Sequence, residues 1–244
     1  REREAPRAGV EGLKRKKESS ACSSSGSSGD AHSPPPHPKL ARGEDERHQG
    51  RVRSFPHVDG NYAGFVYVEV GGGGRPDVLA AAVAAAAWAD GALPGREVVR
   101  TPPAELHVTL SRTFAVRLKQ IAPLVRALRK RVGRERAFAA ALGGAALYSN
   151  DEDTRTFAGL QLTTGREVAL RLVAAVDAAL AEFGLAPYYT DPSFHVSVAW
   201  ALGPLPQPAP ELPADAAPPA ALWLECVRAK IGERVYDIPL RGGA

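Results

Sequence analysis

Two short segments constrain the fold of this chain more than anything else in it. Leu106-His-Val-Thr-Leu-Ser111 and Phe194-His-Val-Ser-Val-Ala199 both read apolar, His, Val, hydroxyl, apolar. On a strand, side chains alternate faces with a period of two. As strands, these segments send Leu106, Val108 and Leu110, or Phe194, Val196 and Val198, to one face. His107 with Thr109, and His195 with Ser197, go to the other. Each strand then has an apolar face to bury and an imidazole beside a hydroxyl to present.

The histidine census makes the two segments a pair. Of six His, three (His32, His37, His48) lie near the N-terminus and His57 at the start of the expected fold. From residue 61 onward His occurs only at 107 and 195, once in each motif. Either motif alone is short, and the plain alternative is a core or surface histidine on an ordinary strand. Random placement rarely fills both motifs and nothing else.

Around the pair the pattern is that of an α+β domain. Residues 1–50 carry a Ser/Gly run, a Pro cluster and few large apolar residues, and are expected to be a disordered tail. Its Lys14-Arg-Lys-Lys17 cluster reads as a nuclear localisation signal or as a solvated charge run. The domain is expected over 51–244. Strands are expected at Tyr62–Val70, Ala104–Thr113, Phe138–Tyr148, Thr154–Thr163 and Ser193–Leu202. Helices are expected at Pro76–Ala89, Arg117–Val132 and Arg166–Phe183, from Pro at a first turn, spacings of three and four, and Gly184 as a C-cap. A Pro/Ala-rich flexible connection over 204–220 leads to two strands within Leu222–Leu240, turning near Gly232. Each half thus holds a helix leading to a strand with the same motif.

Composition excludes some classes. The longest apolar run, Val78 to Trp88, is about half the ~20 residues of a membrane span, so no membrane partner is expected. Cys22 and Cys226 do not make a disulfide framework. With Arg1 first, no Met and a charged N-terminus, the sequence is expected to be a fragment without a signal peptide. Net charge is +4, but 12 of 31 Lys/Arg and 9 of 27 Asp/Glu lie in residues 1–60, leaving 19 against 18. The folded part is near neutral, so charge is no argument for a nucleic-acid ligand. The helix from Arg117 to Arg136 is basic, with Arg117, Lys119, Arg126, Arg129, Lys130, Arg131, Arg134 and Arg136 against Glu135. It reads as a solvated face or as a surface that tracks phosphates.

Facing imidazoles suit acid–base work near neutral pH: one takes a proton from a nucleophile and one gives a proton to a leaving group. RNA supplies its own nucleophile, the 2′-hydroxyl beside the phosphorus. Thr109 and Ser197 would donate hydrogen bonds to the non-bridging oxygens, where charge builds up. Either histidine can be the base. Metal ligation competes for two His, but no His-x-x-x-His or Cys-x-x-Cys spacing is present, and the hydroxyls have no role in a zinc site. No metal and no cofactor are expected.

At these residues the chain resembles the two-histidine (2H) phosphoesterase superfamily, and within it the U6 small nuclear RNA phosphodiesterase family. The likeness rests on Arg53-Ser-Phe-Pro-His57 with Gly60-Asn61, on Leu106–Arg112, on Tyr148 with Thr154–Gly159, and above all on Tyr189-Thr-Asp-Pro-Ser-Phe-His-Val-Ser-Val-Ala-Trp200. It runs from about residue 53 to 203. It implies a bilobed fold, two antiparallel sheets related by a pseudo-twofold axis around a central groove. It implies His107 and His195 as the catalytic pair, Thr109 and Ser197 as phosphate ligands, and Tyr189, Ser193 and Asp151 as nucleotide contacts, with Tyr189 stacking on a terminal base. The implied activity is metal-independent 3′–5′ trimming of a uridine tail on U6 RNA, in the nucleus and by a monomer, leaving a 2′,3′-cyclic phosphate or 3′-phosphate. Another 2H enzyme, a cyclic phosphodiesterase or an RNA ligase-like protein, would keep both histidines and change the substrate. Phe157, Phe194 and Trp200 are expected in the core.

Overall fold

The computed structural model describes residues 58–71, 75–208, 210 and 217–243. The expected tail, the Lys14–Lys17 cluster and the Arg53–His57 stretch lie outside them. Ten strands and three α-helices are described, in the order β1 (Asn61–Glu69), α1 (Pro76–Ala92), β2 (Val99–Arg100), β3 (His107–Thr109), β4 (Phe114–Arg117), α2 (Leu118–Val132), β5 (Phe138–Ser149), β6 (Arg155–Thr164), α3 (Arg166–Ala181), β7 (His195–Leu202), β8 (Ala220–Leu224), β9 (Cys226–Ile231) and β10 (Arg234–Pro239). No helix among the described residues is long and apolar enough to cross a membrane.

The strands form two antiparallel lobes. One runs β10-β9-β1-β3 with β4 also on β1; the other runs β7-β6-β5-β8 with β2 on β7. They join at a seam between β3 and β7, where Val108 faces Val196. In that antiparallel register His107 falls opposite Ser197 and Thr109 opposite His195. The seam is therefore the local twofold of the repeat. Val108 and Val196 are 2% and 0% exposed, and Leu106, Leu110, Phe194 and Val198 are buried with them, whereas all four motif polar residues are half-buried. Alternation sorts the faces as expected, and six apolar side chains at ~1.5–3 kcal/mol each hold the histidine strands down.

The helices lie on the buried side. Helix α1 begins with Pro76 at its first turn and buries Val78, Ala81, Ala82, Ala85, Ala86 and Ala89, spacings of three and four, against β5–β8. Its alanines allow the sheet to come close. Helix α2 buries Ile121, Leu124, Val125, Leu128 and Val132 and packs on β4, β9, β10 and α3. The Arg117 backbone N–H donates to Gln120 Oε1 at 2.9 Å and caps its start. Helix α3 stops at Ala181, two residues before the expected end. Gly184 follows with φ 69°, and Leu185 N–H donates back to the Leu180 carbonyl.

Three expectations are corrected. The strand expected over Ala104–Thr113 is a 3₁₀ turn at Pro103–Glu105, the short β3, and then β4. The break falls at Ser111, whose buried hydroxyl accepts the Val66 N–H at 2.8 Å in place of a ladder carbonyl. The 204–220 connection ends at 219, because Ala220 is buried and opens β8. The C-terminal strand pair is three strands. It turns at Gly232 as expected, but at Glu225 the chain leaves the second lobe, where β8 pairs with β5, and enters the first, where β9 pairs with β1.

Candidate active site

The groove above the seam encloses about 800 Å³ and receives residues from both lobes. All seven residues singled out by sequence line it: His107, Thr109, His195 and Ser197 at the seam, with Asp151, Tyr189 and Ser193. None of its lining comes from α2, whose basic face therefore borders another part of the molecule.

Each histidine is held the same way. His107 Nδ1 lies 2.5 Å from the Glu105 carbonyl oxygen, and His195 Nδ1 lies 2.7 Å from that of Ser193, in both cases two residues upstream. A carbonyl only accepts, so Nδ1 carries the proton in either charge state. Gain and loss of a proton therefore fall to Nε2 of both rings. This is the part Ser193 plays through its backbone. Burial pushes both imidazole pKa values below the usual 6.5, although the carbonyl contacts act the other way. The charge on His107 lowers that of His195 further. A charge on His107 thus opposes a charge on His195.

Aromatic rings brace the imidazoles. Tyr148 stacks on His195 with centroids 3.7 Å apart and planes 9° apart. Gly159, on β6 under that stack, leaves the room: a Cβ there would lie 2.9 Å from His195 Cδ2 and 3.1 Å from Tyr148 Cε2. Phe65 and Tyr67 of β1 flank His107 at 5.5 and 5.1 Å. Sequence reasoning took Tyr148 and Gly159 only as part of a likeness and did not single out Phe65 or Tyr67. Their contacts lie across strands, where no local pattern marks them.

A cluster bridges the lobes at one end of the groove. Arg112, following β3, pairs with Asp151 in the β5–β6 turn. Tyr189 donates to Asp151 Oδ1 at 3.0 Å, and the Arg112 guanidinium lies 4.5 Å above its ring. Asp151 thus meets Tyr189, with Arg112 as a third member.

Two aromatic residues expected in the core line the groove instead: Phe157 and Trp200. Gly159 faces Ser197 but Ala158 faces Ala199, so β7 has one residue more than β6 there. Val198 and Ala199 are both buried, and alternation resumes one step out of phase. This bulge returns Trp200 to the face of His195 and Ser197. Phe194, before the bulge, is in the core as expected.

Among the described residues no three His, Cys, Asp or Glu side chains converge to hold a metal ion. Two strand-borne histidines, each with a hydroxyl two residues on, facing one groove across a pseudo-twofold seam, define a 2H phosphoesterase. Usb1 of Kluyveromyces marxianus has this fold; it superposes with a TM-score of 0.50 at 18% identity, covering 73% of this chain and 98% of that one. The chain belongs to the U6 snRNA phosphodiesterase 1 family. It is 34% identical over 209 residues to U6 snRNA phosphodiesterase 1 of Bos taurus, and equally to that of Homo sapiens, covering 81% of this chain and 77% of either relative. The Xenopus laevis protein of the same name is 36% identical over 165 residues, 66% of this chain and 62% of its own length. Residues 33–239 also match the HVSL family model, described as an uncharacterised conserved protein.

Proposed function

We propose that this RNA phosphodiesterase is a 3′–5′ exonuclease that trims the uridine tail of U6 small nuclear RNA, working in the nucleus as a monomer. The name of the relatives supports the substrate. The observation that carries the chemistry is the seam. It sets His107 and His195 across from each other's hydroxyl partner, each with Nδ1 tied to a carbonyl and Nε2 left to exchange protons.

The terminal nucleotide stacks on Tyr189 and the last phosphodiester lies over the seam. One imidazole removes the proton of the penultimate 2′-hydroxyl, whose oxygen attacks phosphorus in line. The bond from phosphorus to the terminal 5′-oxygen breaks, and the second imidazole gives that oxygen a proton. A nucleoside leaves and a 2′,3′-cyclic phosphate remains. Thr109 and Ser197 hydroxyls donate to the non-bridging oxygens as charge gathers on them. The two imidazoles suit this exchange, since each contribution is typically ~10²–10⁴-fold and needs one neutral and one charged ring. No step needs a metal.

Mass analysis of the products of a uridine-tailed RNA in EDTA tests the scheme. One nucleoside released from a 3′-hydroxyl end, then nucleoside 2′,3′-cyclic phosphates in sequence, with a cyclic phosphate on the shortened RNA, are expected. Loss of activity in EDTA, or equal cutting of an RNA whose penultimate 2′-hydroxyl is replaced by hydrogen, would refute it.

A further inference from the structure

The bulge in β7 adds aromatic surface to the groove wall beyond the histidines. Trp200 lies beyond Ser197 along the same strand, three residues or ~10 Å on. Phe157 of β6 pairs with Trp200 across the strands and lines the groove beside it. The Arg155 guanidinium carbon lies 5.4 Å above the Phe157 ring, and Arg100 of β2, opposite Ala199, lines the same end. Two flat rings with cations beside them match what single-stranded RNA offers, a base face and a phosphate per nucleotide.

We propose that Trp200 and Phe157, with Arg155 and Arg100, form a second nucleotide subsite. It takes the base of the penultimate nucleotide, the one whose 2′-hydroxyl attacks. Arg155 and Arg100 meet the next phosphate toward the 5′ end. This rests on the exonuclease reading, which puts the terminal base on Tyr189. Stacking is tolerant of base identity, so the subsite counts nucleotides more than it reads them. It requires the substrate to have at least two residues with bases, and it lets the enzyme step back along a tail of any composition that stacks.

The test measures binding of short RNAs whose penultimate sugar is 2′-deoxy, so that no cleavage occurs, with that nucleotide either uridine or abasic. Titrations follow the fluorescence of a label on the 5′ end. The wild-type protein is expected to bind the uridine RNA about 5- to 150-fold more tightly than the abasic one, the span that ~1–3 kcal/mol of stacking represents. In Trp200→Leu and in Phe157→Leu that ratio falls toward one, while Trp200→Phe retains most of it. Tyr189→Leu weakens both RNAs together and keeps the ratio. An unchanged ratio in Trp200→Leu and Phe157→Leu overturns the subsite. Failure of the wild-type protein to bind either RNA overturns the exonuclease reading itself, and the subsite with it.

Discussion

Gly159→Ala is a one-carbon probe of how closely the site is set. The added Cβ would lie 2.9 Å from His195 Cδ2, 3.1 Å from Tyr148 Cε2 and 3.2 Å from the Val196 carbonyl oxygen. Ordinary contact begins at 3.4 Å, so the imidazole must retreat by 3.4 − 2.9 = 0.5 Å, and the stacked tyrosine ring with it. The strand itself yields little, because β6 is paired on both sides by β5 and β7. A displacement of 1 Å costs ~10²-fold in rate, so half of it should cost roughly tenfold, more if the Nδ1 contact to Ser193 also breaks. We expect kcat on a uridine-tailed RNA to fall ~10- to 100-fold with KM little changed. Overpacking costs ~1–3 kcal/mol. Restricting the unfolded chain returns ~0.4–1 kcal/mol. The net loss of roughly 0.5–2 kcal/mol lowers Tm by ~1–8 °C in a domain of this size. Single-turnover rates at 25 °C, set beside a thermal melt by circular dichroism, separate the two effects. A variant with wild-type kcat, or a rate loss that matches the unfolded fraction, would refute the claim that Gly159 sets the position of His195.

Other outcomes follow from the same geometry. Thr109→Val and Ser197→Ala should each lower kcat by ~10²–10³-fold, the usual cost of one donor to a charged transition state, whereas Thr109→Ser keeps most of the rate. Equal rates in Thr109→Val and wild type would remove that hydroxyl from the phosphate site. Tyr148→Leu should lower kcat and move the His195 ring-proton resonances downfield as the stacked ring is lost, while Tyr148→Phe preserves both; an unmoved resonance in Tyr148→Leu would contradict the stack. Stability should also fall in acid. Both imidazoles have folded pKa values below 6.5, so as pH drops through 6.5 the unfolded chain binds protons that the folded chain resists. Stability is full above that pH and declines until the lowered values are passed. A His107→Gln/His195→Gln double variant should therefore lose less Tm than wild type between about pH 7 and about pH 5; identical slopes would count against burial as the cause.

What could be read from sequence was what is local or repeated. Strand alternation sorted Leu106, Val108 and Leu110 from His107 and Thr109 without any knowledge of the partner strand. The i, i+3, i+4 stripe of α2 and the glycine after α3 are likewise local. Phe157 and Trp200 were misplaced because period-two counting assumes an unbroken ladder, and an extra residue in β7 is visible only against β6. The same limit hid the Tyr148 stack, whose partner is 47 positions away along the chain. The hop at Glu225 did leave a local mark: apolar positions fall at 222 and 224 and then at 227, 229 and 231, one step out of phase. The choice of neighbour, β5 for β8 and β1 for β9, is its structural cause.

That hop has a consequence for how the molecule is made. Strand β8 completes one lobe and β9 with β10 the other, so residues 220–239 furnish an edge to each. During synthesis neither lobe can close until this stretch has cleared the ribosome, although both histidine strands emerge well before it. The nascent chain would wait with two unpaired strand borders, on β5 and on β1, exposed to the cell together. A stop codon before Ala220 would then not yield a half-working enzyme with one sound lobe. It would strip both at once, and the product should be cleared by proteolysis, not accumulate as a stable fragment.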